Sequence, residues 1–114
     1  MREEKVMDEI ERGSGNVYAD LGFPDADKML VKAHLVTAIR KAITAGKLTQ
    51  LRAAEIVGMP QPRLSDMLRG HFRGISETKM IECLARLGHD VRIVVARSRR
   101  RRKQPGRIEV LQEA

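Results

Sequence analysis

Apolar positions along the chain follow two rhythms. In "PDADKMLVKAHLVTAIRKAITAG", which begins at Pro24, Met29, Ala33, Val36, Ile39 and Ile43 recur at steps of three or four. That spacing predicts a long helix with one buried face. Pro24 near the first turn and Asp25 and Asp27 at the positive end of the dipole mark its start, and Gly46 its end. Arg40 and Lys41 are placed towards solvent near the negative end of the dipole. Thr49 is then an N-cap for "QLRAAEIV", which stops at Gly58. A second short helix follows, from Gln61 or from Pro62 with Gln61 at its cap, to Arg69, and stops at Gly70. After "HFRGI", Ser76 caps "ETKMIECLARLG", with Met80, Ile81, Leu84 and Leu87 on the inner face. The rhythm changes at His89. "DVRIVVAR" is rich in β-branched residues, with Val91, Ile93 and Val95 alternating with Arg92, Val94 and Ala96. That is a strand signature, and "RIEVL" at 107–111 is a second, weaker one. The two pair as a hairpin, or the first pairs with its copy in another chain, because a lone strand leaves its edge open.

The N-terminal segment has neither rhythm. Residues 1–15 are charged and end in "GSG", which suggests a mobile or weakly helical arm. In "NVYADLGFP", Tyr18 and Phe23 lie close to Val17 and Leu21, so a short turn docked on the body is expected there.

Composition narrows the picture. Only 3% of the 114 residues are aromatic and there is no Trp, so the core must be aliphatic. The length suits one domain with modest tails. A single cysteine, Cys83, excludes an intramolecular disulfide framework and reads as a core thiol. No apolar run approaches the roughly 18 residues of a membrane span, and "MREEKVMDEIER" lacks the apolar centre of a signal peptide. A cytoplasmic, nucleoid-associated protein is expected. The charge is unevenly spread: three bases against six acids in residues 1–20, twelve against seven in 21–96, and seven against two in 97–114. An acidic arm (1–23), a helical body (24–88) and a C-terminal part with one or two strands and an arginine-rich run (89–114) follow from this. The net charge of +7 points to an anionic partner, with nucleic acid foremost. His34, His71 and His89 lack ligand-like spacing, and no nucleophile with an activating base, glycine-rich phosphate loop or paired carboxylates occurs. Neither a metal, a cofactor nor an enzymatic activity is expected.

The two short helices carry the functional signal. In a helix–turn–helix the first helix needs a small residue facing the second, the turn needs a glycine, and buried aliphatics hold the pair. Counting from Gln50, Ala54 falls fifth, Gly58 ninth, Met59 tenth, Leu64 fifteenth and Met67 eighteenth, with Ala53 and Val57 fourth and eighth. Any packed helical hairpin would need these apolar residues. The whole template is more specific. "LTQLRAAEIVGMPQPRLSDMLRG" resembles the helix–turn–helix of the XRE family of regulators, whose phage-repressor-like domains have about five helices. "GSGNVYADLGFPDADKMLVKAHL" and "LGHDVRIVV" further resemble HigA-type antitoxins, which partner RelE-like ribonuclease toxins.

The resemblance implies a mainly α, phage-repressor-like domain of about five helices with a C-terminal β-strand or hairpin. It also implies a set of DNA-binding residues. Gln50, at a helix N-terminus, would meet a phosphate, as would the cap Thr49. Gln61 matches the family's base-reading glutamine and would bond adenine N6 and N7. Pro62 occupies another reading position but offers only an apolar ring, a departure from the family. Asp66 lies one turn on, where it would accept from cytosine N4 or pair with Arg63 or Arg69. Arg69 and Arg73 are assigned to phosphates, and Arg63 or Ser65 to a base or phosphate. Under this reading the chain is a sequence-specific repressor that binds a double-stranded operator as a homodimer. It would be the autoregulating antitoxin of a HigBA-like module that neutralises a RelE-like toxin; the alternative is a stand-alone XRE regulator. The run at 97–103 is a solvated tail or a sequence-independent phosphate-binding arm. A more distant rival is an RNA-binding accessory protein driven by that run.

Overall fold

The computed structural model describes residues 22, 25–97 and 105–113. Among these residues are four helices: α1 (Ala26–Ala45), α2 (Gln50–Val57), α3 (Gln61–Leu68) and α4 (Glu77–Arg86). α1 packs chiefly on α4 and α2 on α3, with lesser contacts of α1 on α3 and of α2 on α4. The expected stripe of α1 is buried throughout, from Met29 to Ile43. Leu35 and Ala42 are buried as well, so α1 is covered over more than one face, and Lys32 and Thr37 are drawn in with them. Thr37 Oγ1 satisfies itself by donating to the Ala33 carbonyl at 2.9 Å.

The short helices begin as their caps require. Ser76 Oγ accepts from the Lys79 N–H at 3.1 Å and so satisfies one of the four N–H groups that a helix start leaves without a partner. Asp25 stands at the N-cap of α1 but makes no capping bond. Its carboxylate instead meets Arg73, 48 residues on, at 3.0 Å. The end of α1 also differs from the expected glycine stop. Gly46 keeps a right-handed φ of −79°, and Lys47, at φ 53°, makes the left-handed turn. Arg40 is not on the solvent side: it is half-buried and donates to the Leu68 carbonyl at the end of α3.

Apart from Lys32 and Thr37, the buried side chains among the described residues are apolar, and one of them is aromatic. Phe72, in the connection between α3 and α4, is wholly buried with Ile39, Leu64, Met67, Met80, Val36, Val57 and Cys83. A loop thus supplies the largest side chain of the core. The strands expected over 91–96 and 107–111 are not formed among the described residues. Residues 91–97 run exposed, with Ile93 80% and Val95 94% accessible. Alternation suits a pleated ladder, but a ladder needs a second row of N–H and C=O groups, and the described chain brings none to this segment. Val110 packs on the core, and an Arg92–Glu113 ion pair at 3.4 Å draws the two C-terminal segments together. Against an expectation of about five helices, the described residues hold four. The expectations for residues 1–15 and for the docking of Tyr18 and Phe23 lie outside them, as does the arginine run beyond Arg97.

Because Lys47 holds a conformation that costs a side chain about 1–2 kcal/mol, Lys47→Gly is expected to stabilise the fold by about 0.5–1 kcal/mol after glycine's own entropy cost. Urea unfolding checks this.

Candidate nucleic-acid interface

The motif is built from a cap, a turn and a second start. Thr49 is extended (φ −73°, ψ 159°), and its Oγ1 accepts from the Arg52 N–H at 3.1 Å. This fixes the first turn of α2 and leaves the Thr49 O–H as a donor. Gln50 is the first helical residue and is exposed. Ala53, Ala54 and Val57 face inward. The Ala54 carbonyl accepts from both Gly58 N–H (2.9 Å) and Met59 N–H (3.0 Å), which closes α2 and turns the chain. Gly58 takes φ 72°, ψ 41°, the left-handed cap that glycine adopts without strain.

α3 begins at Gln61, not at Pro62. Pro60 is its N-cap (φ −55°, ψ 139°), and the Leu64 N–H bonds back to the Pro60 carbonyl at 3.0 Å. The bias that Pro62 places on its neighbour is therefore overridden by the first turn. Pro62 costs this helix no hydrogen bond, because N–H groups at that position have no helical acceptor. Leu64, Met67 and Leu68 anchor α3 to the core. Gln61, Pro62, Arg63, Asp66 and the cap residue Arg69 are exposed, and Ser65 is half-buried. Across the turn, Gln61 Nε2 donates to Gln50 Oε1 at 3.4 Å. The fold thus joins the two glutamines to which DNA contacts were assigned.

Residues 17–96 match the family described as a helix-turn-helix domain. A solved structure, named for the XRE family of transcriptional regulators, is similar to the chain with a TM-score of 0.71 and 30% identity. The match covers 79% of this chain and all of that one. The chain belongs to the XRE-type helix–turn–helix family. As a member it is a DNA-binding regulator of transcription. No curated protein matches it.

In this XRE-type domain the charged candidates take up separate partners. Asp66 pairs with Arg69, three residues on, and not with Arg63. Arg63 Nη2 is instead directed at the Gly74 carbonyl, at 3.5 Å. Arg73 Nη1 lies 3.0 Å from Asp25 Oδ2. On α2, Arg52 meets Glu55 at 2.9 Å. Exposed pairs such as Arg52–Glu55 and Asp66–Arg69 contribute only tenths of a kcal/mol, about 0.2–1 at most, whereas Asp25 is half-buried beneath Arg73. Thr49, Gln50 and Gln61 form one cluster; Arg63 and Arg73 serve the loop after α3.

Two residues outside the predicted contact set touch this machinery. Arg40 binds the carbonyl end of α3, where the helix dipole favours a cation. Lys32 binds the loop beyond it, at the Arg73 carbonyl. The signal for Lys32 was a lysine set within the apolar stripe of α1. Arg40 gave no such signal, because an arginine beside a stripe normally reaches solvent.

Burial pushes the Cys83 thiol up, against the nearby cations of Lys79 and Arg86, so the group stays protonated in the core. Burial also lowers His34, keeping its imidazole neutral. Among the described residues no group of three or more His, Cys, Asp or Glu could hold a metal ion. None of the described helices is long and apolar enough to cross a membrane.

A Cβ on Gly58 would meet Arg86 Nη1 at 3.0 Å in a left-handed backbone. Gly58→Ala is therefore expected to cost about 1–2 kcal/mol, read as a lower thermal midpoint with the helical content of the folded state unchanged.

Proposed function

We propose that this XRE-family protein is a sequence-specific repressor in which α3 is the recognition helix and Gln61 reads an adenine. The observation that carries the reading is the hydrogen bond from Gln61 to Gln50. An amide nitrogen has two N–H groups. With one committed to Gln50, the other N–H and the Gln61 oxygen remain as a donor and acceptor side by side. That is the pair adenine N7 and N6 require in the major groove. Gln50, in turn, keeps its own amide N–H groups at the start of α2, where a phosphate is favoured.

Around this centre, Thr49 serves as a phosphate donor, Arg69 and Arg73 serve phosphates, and Arg63 or Ser65 a base or phosphate. The Pro62 ring is suited to a thymine methyl. Asp66, already paired with Arg69, acts by orienting it. The DNA-binding unit corresponds to residues 24–88. Gln61→Ala should lose about 1–3 kcal/mol of discrimination at one base position, measured by selection from a randomised duplex pool. Unaltered base preference in the variant would remove Gln61 from the reading.

One recognition helix contacts too few base pairs to find a site in a genome, so we place two copies on half-sites roughly 34 Å apart. The support is the strand-like segment 91–96, whose Val91, Ile93, Val94 and Val95 are exposed. Antiparallel pairing of two copies would satisfy its backbone and bring Val91, Ile93 and Val95 of both chains onto one face. The arginine run beyond it would then add sequence-independent affinity. Ile93→Asp is expected to shift the protein from dimer to monomer in sedimentation, and to weaken binding to a two-fold site far more than to a half-site.

The antitoxin role rests on the likeness of the sequences flanking the motif to HigA-type proteins, and the acidic arm 1–23 is assigned to the basic toxin. A RelE-like reading frame beside the gene, and loss of toxin capture on deletion of residues 1–22, test it. Without such a reading frame the stand-alone regulator holds.

A further inference from the structure

The connection from α3 to α4 is gripped through its carbonyls. Lys32 Nζ donates to the Arg73 carbonyl at 2.9 Å, across 41 residues of sequence. The same ammonium lies 3.6 Å from Glu77 Oε1. Arg40 donates to the Leu68 carbonyl, and Arg63 reaches the Gly74 carbonyl at 3.5 Å. Phe72 and Ile75, both buried, fix where this connection lies.

The Ile75 N–H closes a turn onto the Phe72 carbonyl at 2.9 Å, but that bond leaves the central peptide between Arg73 and Gly74 able to face either way. Glycine accepts many backbone conformations, and the space where a Cβ of Gly74 would stand is open. The bond from Lys32 supplies the missing constraint. Lys32 is only 7% exposed and lies on the same buried stripe as Met29 and Val36. An apolar side chain there would spare the cost of burying an ammonium. A lysine at this place therefore calls for a reason other than stability, and its contact with the Arg73 backbone provides one.

Given α3 as the recognition helix, on which this step rests, we infer that Lys32 is a positioning residue for DNA binding. Its ammonium turns the Arg73 carbonyl inward, so that the outer side of the loop presents the exposed Arg69 and Arg73 side chains to phosphates. The exposed Arg73 guanidinium pairs with the half-buried Asp25 carboxylate at 3.0 Å, a bond that it would exchange for a phosphate.

The test uses the full chain and a short mixed-sequence DNA duplex, with affinity followed by fluorescence anisotropy over a range of KCl concentrations. The slope of log affinity against log salt counts phosphate contacts, at about 0.9 for each. Lys32→Met should make the slope shallower by about 1. Arg73→Gln should do the same, and the double variant should show no further change, because the two act in series. A purely structural lysine would lower the melting temperature and leave the slope alone. Should Lys32→Met not melt cooperatively, Lys32→Leu, which likewise lacks a donor, is read by the same criterion. A folded Lys32 variant with the wild-type slope overturns the inference, and so does a wild-type slope in Arg73→Gln. If the unaltered chain fails to bind duplex DNA, the recognition-helix reading falls and this one with it.

Discussion

The close approach of α2 to α3 at Ala54 and Gly58 is the constraint on which the rest of the site depends. Ala54 is small enough to let the helices meet, and its carbonyl takes two N–H groups from the turn. Gly58 then reverses the chain at φ 72°, where any Cβ would also crowd the Arg86 guanidinium. From that turn follow the entry of α3 at Pro60, the burial of Leu64 and Met67, and the meeting of Gln61 with Gln50. If the crossing shifts, the two amides part. A hydrogen bond already at 3.4 Å has little length to spare.

The charges divide by surroundings rather than by number. Ion pairs such as Arg52–Glu55 and Lys79–Glu82 lie on the surface, where screening and side-chain entropy leave them little net value. Arg40 and Lys32 differ, because they spend their charge on carbonyls at the end of α3 and beyond it. Hydrogen bonds from a charged donor are stronger than neutral ones. The cations that reach the end of α3 and the loop beyond it thus both come from α1.

Several features of the fold were legible locally. Thr49 and Ser76 cap their helices as read, because capping depends on a side chain and an N–H three residues away. The α1 stripe, the thiol of Cys83 in the core and the glycine of the turn were legible for the same reason. Phe72 was not: it stands in a loop without periodicity, and only the folded core shows that it is buried. The C-terminal alternation was clear, yet it carries no information about a ladder partner, and the described segment remains exposed without one.

Within the site, the sequence by itself determined which residue types stand on the outer side of α3, since helical spacing separates Gln61, Pro62 and Asp66 from Leu64 and Met67. Tertiary structure alone decided their partners. Asp66 had arginines three residues away on both sides, and the choice fell to Arg69 because Arg63 is directed at the Gly74 carbonyl instead. Arg40 was assigned to solvent from its place on the helix, but the end of α3 lies within its reach. Lys32 read as one more base in a charge count and proved to be a buried tether. Spacing tells which way a side chain leaves its own helix; what it meets there depends on segments as far as 48 residues away in the chain.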